Sequence, residues 1–208
     1  MTRSLSSPQT VLVGAVAALA LVIPLGSFAA HAVSERRAPG KTVIGTPRPD
    51  ILRGTARDDV LKGRGGADTA YGFKGNDLIV LGGGGGRGDW AEAGPGNDRI
   101  VGGPGPNVMN GGSGNDRIEG GSARDEIFDL GGRDKVFAGA GNDFVNAGGG
   151  RDRFDLGEGN DSINLRPDGA ADTIICGPGH DEVLWESRRD PLDTVSGCEV
   201  LRVGRYLP

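Results

Sequence analysis

The chain has 208 residues, of which 40 are glycine and only 5% are aromatic, and its formal net charge is −5. Large apolar side chains are therefore too few for one conventional globular core, whereas a stack of short repeats, each burying one side chain against its neighbours, needs far fewer. The sequence contains no cluster of Lys and Arg interleaved with aromatic residues, which argues against a nucleic-acid partner.

The first 32 residues have the features of an export signal. Arg3 precedes an apolar run at residues 11–23, and Ala30 and Ala32 supply small side chains at −3 and −1 of a cleavage site. The run of about 13 residues is shorter than the roughly 20 that cross a bilayer, and an uncleaved anchor is the alternative. We expect residues 1–32 to be a signal peptide, leaving a mature chain without a membrane span, secreted or at the cell surface.

The remaining chain divides into three segments. Residues 33–44 are polar and are predicted to form a linker, and residues 45–184 carry a nonapeptide repeat. Residues 185–208 lose the repeat and are predicted to form a cap with strands near 194–195 and 199–203, because an open solenoid end exposes unpaired strand edges. In an exported chain, Cys176 and Cys198 are predicted to form a disulfide, with two free buried thiols as the alternative.

Within the repeat array, an Asp recurs every nine residues at the end of a glycine-rich turn. With that Asp numbered as position six, glycine is frequent at positions two and four, which suits positive φ angles and close backbone approach. The spacing slips by three residues before Asp89 and by two before Asp172, and the first slip is either a loop or a break in the stack. The position-six residues are Asp50, Asp59, Asp68, Asp77, Asp89, Asp98, Asn107, Asp116, Asp125, Asp134, Asp143, Asp152, Asp161, Asp172 and Asp181.

Position eight, two residues after the Asp, is apolar in every unit. One inward apolar residue between more polar neighbours is the alternation of a short strand. Each unit is predicted to be a six-residue turn plus a three-residue strand, so that two units make one coil and alternate units stack into two parallel sheets of an all-β solenoid. The position-eight residues are Leu52, Leu61, Ala70, Ile79, Ala91, Ile100, Met109, Ile118, Ile127, Val136, Val145, Phe154, Ile163, Ile174 and Val183.

Position-six residues eighteen apart are predicted to lie one coil above another. Stacked carboxylates about 5 Å apart repel one another, and a cation between coils would relieve the repulsion. Carboxylates and glycine carbonyls are all-oxygen donors, which favour Ca²⁺ over Zn²⁺ or Cu²⁺. The alternative is that each Asp only caps its turn. The best-formed predicted columns are Asp98, Asp116, Asp134 and Asp152 on one side, and Asn107, Asp125, Asp143 and Asp161 on the other.

The array resembles the repeat-in-toxin (RTX), or hemolysin-type calcium-binding, repeats, with consensus G-G-x-G-x-D-x-U-x and U a large aliphatic residue. Residues 111–116 and 138–143 are the cleanest copies. The resemblance implies a parallel β-roll that binds several Ca²⁺ ions between coils. Asn107 retains an oxygen but lacks the charge, so its site is expected to be weaker. The implied metal ligands are Asp68, Asp77, Asp98, Asn107, Asp116, Asp125, Asp134, Asp143, Asp152, Asp161 and Asp181.

Catalytic motifs are missing from the sequence. It contains no G-x-S-x-G and no H-E-x-x-H, and His180 is the only histidine after the signal segment. We therefore expect a non-enzymatic protein that folds on binding Ca²⁺ and acts as a structural or interaction module at the cell surface or in the extracellular matrix, with an unidentified cell-surface or polysaccharide partner. The alternative is an extracellular, Ca²⁺-dependent, polysaccharide-acting enzyme that uses the long face of the solenoid.

Overall fold

The computed structural model describes residues 40–83 and 85–204, so the predicted signal peptide and residues 33–39 of the predicted linker lie outside the described residues. The described chain is built from β-strands and one short 3₁₀ helix, η1 (Gly85–Arg87). The strands are β1 (Thr42–Ile44), β2 (Ile51–Thr55), β3 (Val60–Gly65), β4 (Thr69–Phe73), β5 (Leu78–Gly83), β6 (Asp89–Pro95), β7 (Arg99–Gly103), β8 (Asn107–Ser113), β9 (Arg117–Gly121), β10 (Glu126–Phe128), β11 (Gly131–Gly132), β12 (Lys135–Ala140), β13 (Phe144–Asn146), β14 (Gly149–Gly150), β15 (Arg153–Glu158), β16 (Ser162–Leu165), β17 (Thr173–Ile175), β18 (Glu182–Trp185), β19 (Thr194–Ser196) and β20 (Val200–Val203).

The strands form two parallel sheets that face each other across the solenoid. One sheet has the order β1-β3-β5-β7-β9-β12-β15-β17-β19, and the other has the order β2-β4-β6-β8-β10-β13-β16-β18-β20, with the two-residue strands β11 and β14 paired beside β8. Partners in the regular part are eighteen residues apart, as in Ile100 with Ile118 and Val136 with Phe154. One coil therefore holds one strand of each sheet, and about nine coils stack. This confirms the predicted all-β, two-sheet parallel solenoid.

The core lies between the two sheets and is one or two side chains thick. All of the position-eight side chains are buried, with 3% exposure at Leu52 and 0% at the others. A second inward row lies two residues further along each strand and includes Leu81, Ala138 and Leu156. Each fully buried aliphatic side chain contributes about 1.5–3 kcal/mol. Strands such as β10 and β13 have the predicted three residues, whereas others are longer. Strand β8 (Asn107–Ser113) has seven, because the glycines of the following turn still pair with the adjacent coil.

The position-four glycines let successive coils approach more closely than a side chain would allow. Gly159 has φ = 139°, and a Cβ added there would lie 1.4 Å from the carbonyl oxygen of Gly141. Gly179 makes the same approach to Gly159, at 1.5 Å. L-residues other than glycine are strained at such φ values, and the contact with the backbone leaves no room for a Cβ.

Both slips in the repeat are local insertions that leave the stack intact. After the three-residue slip, β4 pairs with β6 through Ala70 and Ala91, and β5 pairs with β7 through Ile79 and Ile100. The insertion therefore lies in the turn between β5 and β6, which contains η1, and it is a loop, not a break. The two-residue slip lies between β16 and β17, because Phe154 is the partner of Ile174.

Both ends of the described chain extend the sheets beyond the predicted array. Strand β1 pairs with β3 and falls within the predicted linker, so the first sheet has one strand more than the predicted array provides. In the predicted cap, β19 pairs with β17 and β20 pairs with β18, which adds one further coil. Cys176 and Cys198 form a disulfide across this coil, so the alternative of two free thiols is wrong. In the described part of the chain, no helix has the length and apolar character needed to cross a membrane.

Candidate metal columns

Two ladders of acidic side chains run along the stack, one at each edge where the chain turns between sheets. In each ladder, the backbone N–H of a position-six residue donates to a carboxylate oxygen, usually Oδ1, of the position-six residue one coil later. The N–O distances are 2.7 Å from Asp77 to Asp98, 2.8 Å from Asp98 to Asp116 and 2.7 Å from Asp125 to Asp143. This bond repeats along both ladders except at the step from Asp89 to Asn107, where Asn107 Oδ1 accepts no hydrogen bond. The carboxylates are therefore held with their side chains directed at the preceding coil.

The structure places every predicted metal ligand in one of these ladders. The first column contains Asp59, Asp77, Asp98, Asp116, Asp134, Asp152, Asp172 and Asp193. The second column contains Asp50, Asp68, Asp89, Asn107, Asp125, Asp143, Asp161, Asp181 and Glu199. The columns extend through both slips, because the inserted residues lie in turns and the Asp residues remain in register.

The second carboxylate oxygen, Oδ2, has no hydrogen-bond partner at most steps although it is buried. A buried polar oxygen without a partner costs about 1–3 kcal/mol, and more if it is charged. A row of such oxygens requires bound protons or a cation to compensate. The side chains with this orphan Oδ2 are Asp68, Asp77, Asp89, Asp98, Asp116, Asp125, Asp134, Asp143, Asp152, Asp161 and Asp181.

Backbone carbonyl oxygens converge on the same places as the orphan carboxylate oxygens. A Cβ added to Gly63 would lie 2.3 Å from both Asp68 Oδ2 and the carbonyl oxygen of Leu81 one coil later. At Gly72, the corresponding distances to Asp77 Oδ2 and the Ala93 carbonyl oxygen are 2.4 and 2.6 Å. Glycine here leaves open a space bordered by oxygen atoms from two coils. An all-oxygen donor set of this kind suits Ca²⁺, which accepts 6–8 oxygens in flexible geometry.

Comparison with known families agrees with this geometry. The model of the RTX calcium-binding nonapeptide repeat matches four times, at residues 44–79, 53–87, 92–127 and 128–163, which together cover more than half of the chain. The chain belongs to the RTX calcium-binding repeat family. The donor set and the family thus agree that this is a Ca²⁺-binding repeat protein. No curated protein matches the chain.

Burial raises the pKa of many carboxyls in the RTX columns. At Asp98, Asp125, Asp152 and Asp161 it is the largest cause of the raised pKa, the backbone hydrogen bond to the carboxylate partly lowers the pKa, and repulsion from neighbouring carboxylates adds to the rise. The pKa is about 7 at Asp98, Asp125, Asp152 and Asp161, and about 6 at Asp77, Asp116 and Asp172. Near neutral pH these carboxyls therefore lie close to the boundary between the protonated and ionised forms.

Asn107 interrupts the charge of the second RTX column. Its Nδ2 donates to the Gly105 carbonyl oxygen at 2.7 Å and to Asp125 Oδ1 at 3.0 Å, while its own Oδ1 is buried without a partner. The amide therefore attracts the neighbouring carboxylate where an Asp would repel it. A cation at this step would have one carboxylate fewer, and the weaker site expected from the sequence stays a prediction.

Several members of the RTX columns were not among the predicted ligands. Asp89 and Asp172 follow the slips, and Asp193 and Glu199 lie in the tail without a glycine-rich turn, yet all four occupy ladder positions. Glu199 lies eighteen residues after Asp181, so the spacing alone was a sufficient signal for it. Asp59 also belongs to the first column, and Thr55 donates to its carboxylate from both its backbone N–H and its hydroxyl.

One further carboxylate, Asp129, lies outside the position-six ladder but contacts it. Asp129 is 2% exposed, and one oxygen from each of Asp129, Asp134 and Asp152 lies within 4.8 Å of the others. Burial, and after it the neighbouring carboxyl of Asp134, raises the pKa of Asp129 far above its ordinary value. The available sequence signal was an Asp at position one, two residues after the inward Ile127.

Proposed function

We propose that this protein is exported and that its RTX array folds around Ca²⁺ ions held between successive coils, forming a non-enzymatic structural or interaction module at the cell surface or in the extracellular matrix. The observation that carries the proposal is the row of buried Oδ2 atoms without hydrogen-bond partners along both columns. Oδ1 does not cap its own turn but accepts a backbone N–H of the preceding coil, as from Asp98 to Asp116. The second oxygen is left for a ligand.

Backbone and side-chain groups have different roles in the proposed ion binding. The backbone N–H of one coil fixes Oδ1 of the next, as from Asp134 to Asp152 at 2.8 Å, so in the folded stack the backbone orients the carboxylate. Its Oδ2 and the glycine-turn carbonyls supply the donor oxygens. Bound Ca²⁺ would supply the positive charge that relieves repulsion between adjacent coils. The residues proposed to hold the ions are Asp68, Asp77, Asp98, Asn107, Asp116, Asp125, Asp134, Asp143, Asp152, Asp161 and Asp181.

Such a site does not exist in the unfolded chain, because each one combines residues from two coils. Binding free energy then becomes folding free energy. Low cytosolic Ca²⁺ would keep the chain unfolded before export, and the higher concentration outside would drive folding. The predicted signal at residues 1–32 supports this route. N-terminal sequencing of protein recovered outside the cytoplasm should begin at Val33, and an intact Met1 would contradict cleavage.

Calorimetric titration of the chelator-treated mature chain tests the binding function. We expect saturable binding of several Ca²⁺ ions per chain. Mg²⁺ serves as the control and should bind more weakly, since it demands octahedral geometry and dehydrates reluctantly, which a flexible set of carbonyls and carboxylates does not provide. Absence of a Ca²⁺ binding heat together with unchanged structure, or equal affinity for Mg²⁺, would contradict the proposal.

A polysaccharide-acting enzyme is the second candidate, and a surface cavity lined in part by aromatic side chains favours it. A cavity of about 610 Å³ is lined in part by Tyr71, Phe73, Lys74 and Glu92, with the Tyr71 and Phe73 rings stacked at 6.2 Å. Glycoside hydrolysis ordinarily needs two carboxyl groups, and Glu92 is the one acid among the residues that line this cavity. Screening polysaccharides for Ca²⁺-dependent cleavage, alongside pull-down binding, separates an enzyme from an interaction module.

A further inference from the structure

Asp129 occupies a position that is apolar or glycine elsewhere in the array. It follows β10, and its backbone N–H donates to the Asn146 carbonyl oxygen at 3.1 Å, so the chain is still paired with the next coil at this point. The residue eighteen positions earlier is Gly111 and the one eighteen positions later is the buried Ala147. The side chain of Asp129 therefore lies on the inner side of the coil, where the neighbouring coils carry no charge.

The surroundings of Asp129 leave four carboxylate oxygens without partners. Neither oxygen of Asp129 accepts a hydrogen bond. Oδ1 of Asp134 accepts from the Asp116 N–H, and Oδ1 of Asp152 accepts from the Asp134 N–H, which leaves both Oδ2 atoms unpartnered. Asp129, Asp134 and Asp152 are each at most 3% exposed, and none of the ion pairs in the described part of the chain involves them.

We propose that Asp129, Asp134 and Asp152 form a three-carboxylate Ca²⁺ site that holds its ion more tightly than the other steps of the RTX array. An ordinary step offers two position-six side chains, whereas this one adds a third carboxylate from inside the coil, oriented by the β-ladder and not by the turn. Among the described residues, these three form the one group of metal-ligating side chains whose donor atoms lie this close together. The inference rests on the proposed calcium-binding function.

The chemistry of the donors restricts the occupant. All available donor atoms are hard oxygens, and the region has no His or Cys ligand, which disfavours Zn²⁺ and Cu²⁺. Three ionised carboxylates carry more negative charge than one divalent ion neutralises. The carboxylate of Asp129 therefore adds to the attraction that holds the ion in the site. Affinity of oxygen-ligand Ca²⁺ sites rises with the charge and rigidity of the ligand set.

Counting bound ions at stepped free Ca²⁺ concentrations tests this site separately from the rest of the array. The full mature chain is equilibrated by dialysis against Ca²⁺ buffers, and bound Ca²⁺ per chain is measured for wild type, Asp129→Asn and Asp129→Ala. The Ala variant reproduces the side chain of Ala147. The matched control, Asp143→Asn, removes a carboxylate from the opposite column. Circular dichroism in saturating Ca²⁺ checks that each variant is folded.

The wild type is expected to retain one ion at a free Ca²⁺ concentration at least tenfold below that at which the other ions are released. Both Asp129 variants should release this ion at the same free Ca²⁺ concentration as the others, because an ordinary two-carboxylate step remains, and Asp143→Asn should still retain it. Retention of the tight ion by Asp129→Asn and Asp129→Ala overturns the three-carboxylate site while leaving the proposed function intact. A wild-type chain that binds no Ca²⁺ at any concentration overturns both.

Discussion

Removal of Ca²⁺ at neutral pH is expected to unfold most of the RTX array, and millimolar Ca²⁺ is expected to restore its strands. Each ion that binds only the folded state at 100 times its Kd contributes about 2.7 kcal/mol. Three or four such ions therefore equal a typical domain's whole stability of about 5–15 kcal/mol. The thin core does not offset that loss, because each coil buries few side chains, such as Ile118 and Phe154.

The pH dependence of folding should have opposite signs with and without Ca²⁺. Burial raises the pKa of Asp98 and Asp125 from the ordinary 3.8 to about 7 in the folded chain. The folded chain therefore binds protons more tightly than the unfolded chain between about pH 4 and 7, and the free energy of unfolding decreases as pH rises through this range. With Ca²⁺ present, protons compete with the ion, so stability should decrease as pH falls below about 7.

Far-UV circular dichroism and thermal unfolding, in EGTA and in Ca²⁺, measure both effects on the same protein. In EGTA, strand content should be low at pH 7 and should recover towards pH 4 to 5. In Ca²⁺, strand content should be high at pH 7 and the unfolding temperature should decrease on acidification. Equal strand content in EGTA and Ca²⁺ at pH 7 would rule out folding on ion binding. The same pH trend in both buffers would show that the carboxylate columns do not cause the pH dependence of folding.

Replacement of Gly159 by Ala is expected to destabilise the Ca²⁺-loaded protein by about 3–5 kcal/mol. The φ of 139° alone costs a non-glycine residue about 1–3 kcal/mol. The added Cβ would also overlap the Gly141 carbonyl oxygen at 1.4 Å, and overpacking of this kind costs about 1–3 kcal/mol. Because the neighbour is backbone, the overlap can be relieved only by separating two coils, which also pulls apart the oxygens contributed by both.

Gly86→Ala is the matched control for this substitution. A Cβ added to Gly86, in η1, would have no heavy atom within 4 Å. Urea unfolding in saturating Ca²⁺, together with Ca²⁺ counts, should show a large decrease in stability for Gly159→Ala and a change within about 0.5 kcal/mol for Gly86→Ala. Similar midpoints for the two variants would show that the close stacking of coils at position four contributes little to stability.

Repeat spacing predicted the parts of this fold that depend on regular stacking. The position-eight residues, from Leu52 to Val183, form the buried row because two-residue alternation places each on the inner side of a strand. The eighteen-residue step between Asp98 and Asp116 correctly indicated vertical neighbours. Both features depend on periodicity alone, and periodicity is visible in a single sequence.

The features that sequence reasoning missed depend on contacts between coils. Glycines in β8 do not resemble strand formers, but they pair because an adjacent strand is present, so β8 was predicted too short. Asp129 was overlooked because its inward orientation follows from β-pairing that continues past position nine. Glu199 was missed because it is not an Asp and the tail is not glycine-rich, although its spacing is regular.

The eighteen-residue register between β7 and β12 has a consequence for the length of the stack. Each internal coil pairs with the next coil in the same way as it pairs with the previous one. The pairing of β9 with β7 and with β12 is an example. Duplication or deletion of eighteen residues in that region would change the length of the stack by one coil, about 4.8 Å, and would leave the core packing of the other coils unchanged. Changes of whole repeats in the gene would therefore alter the length of the array in fixed increments.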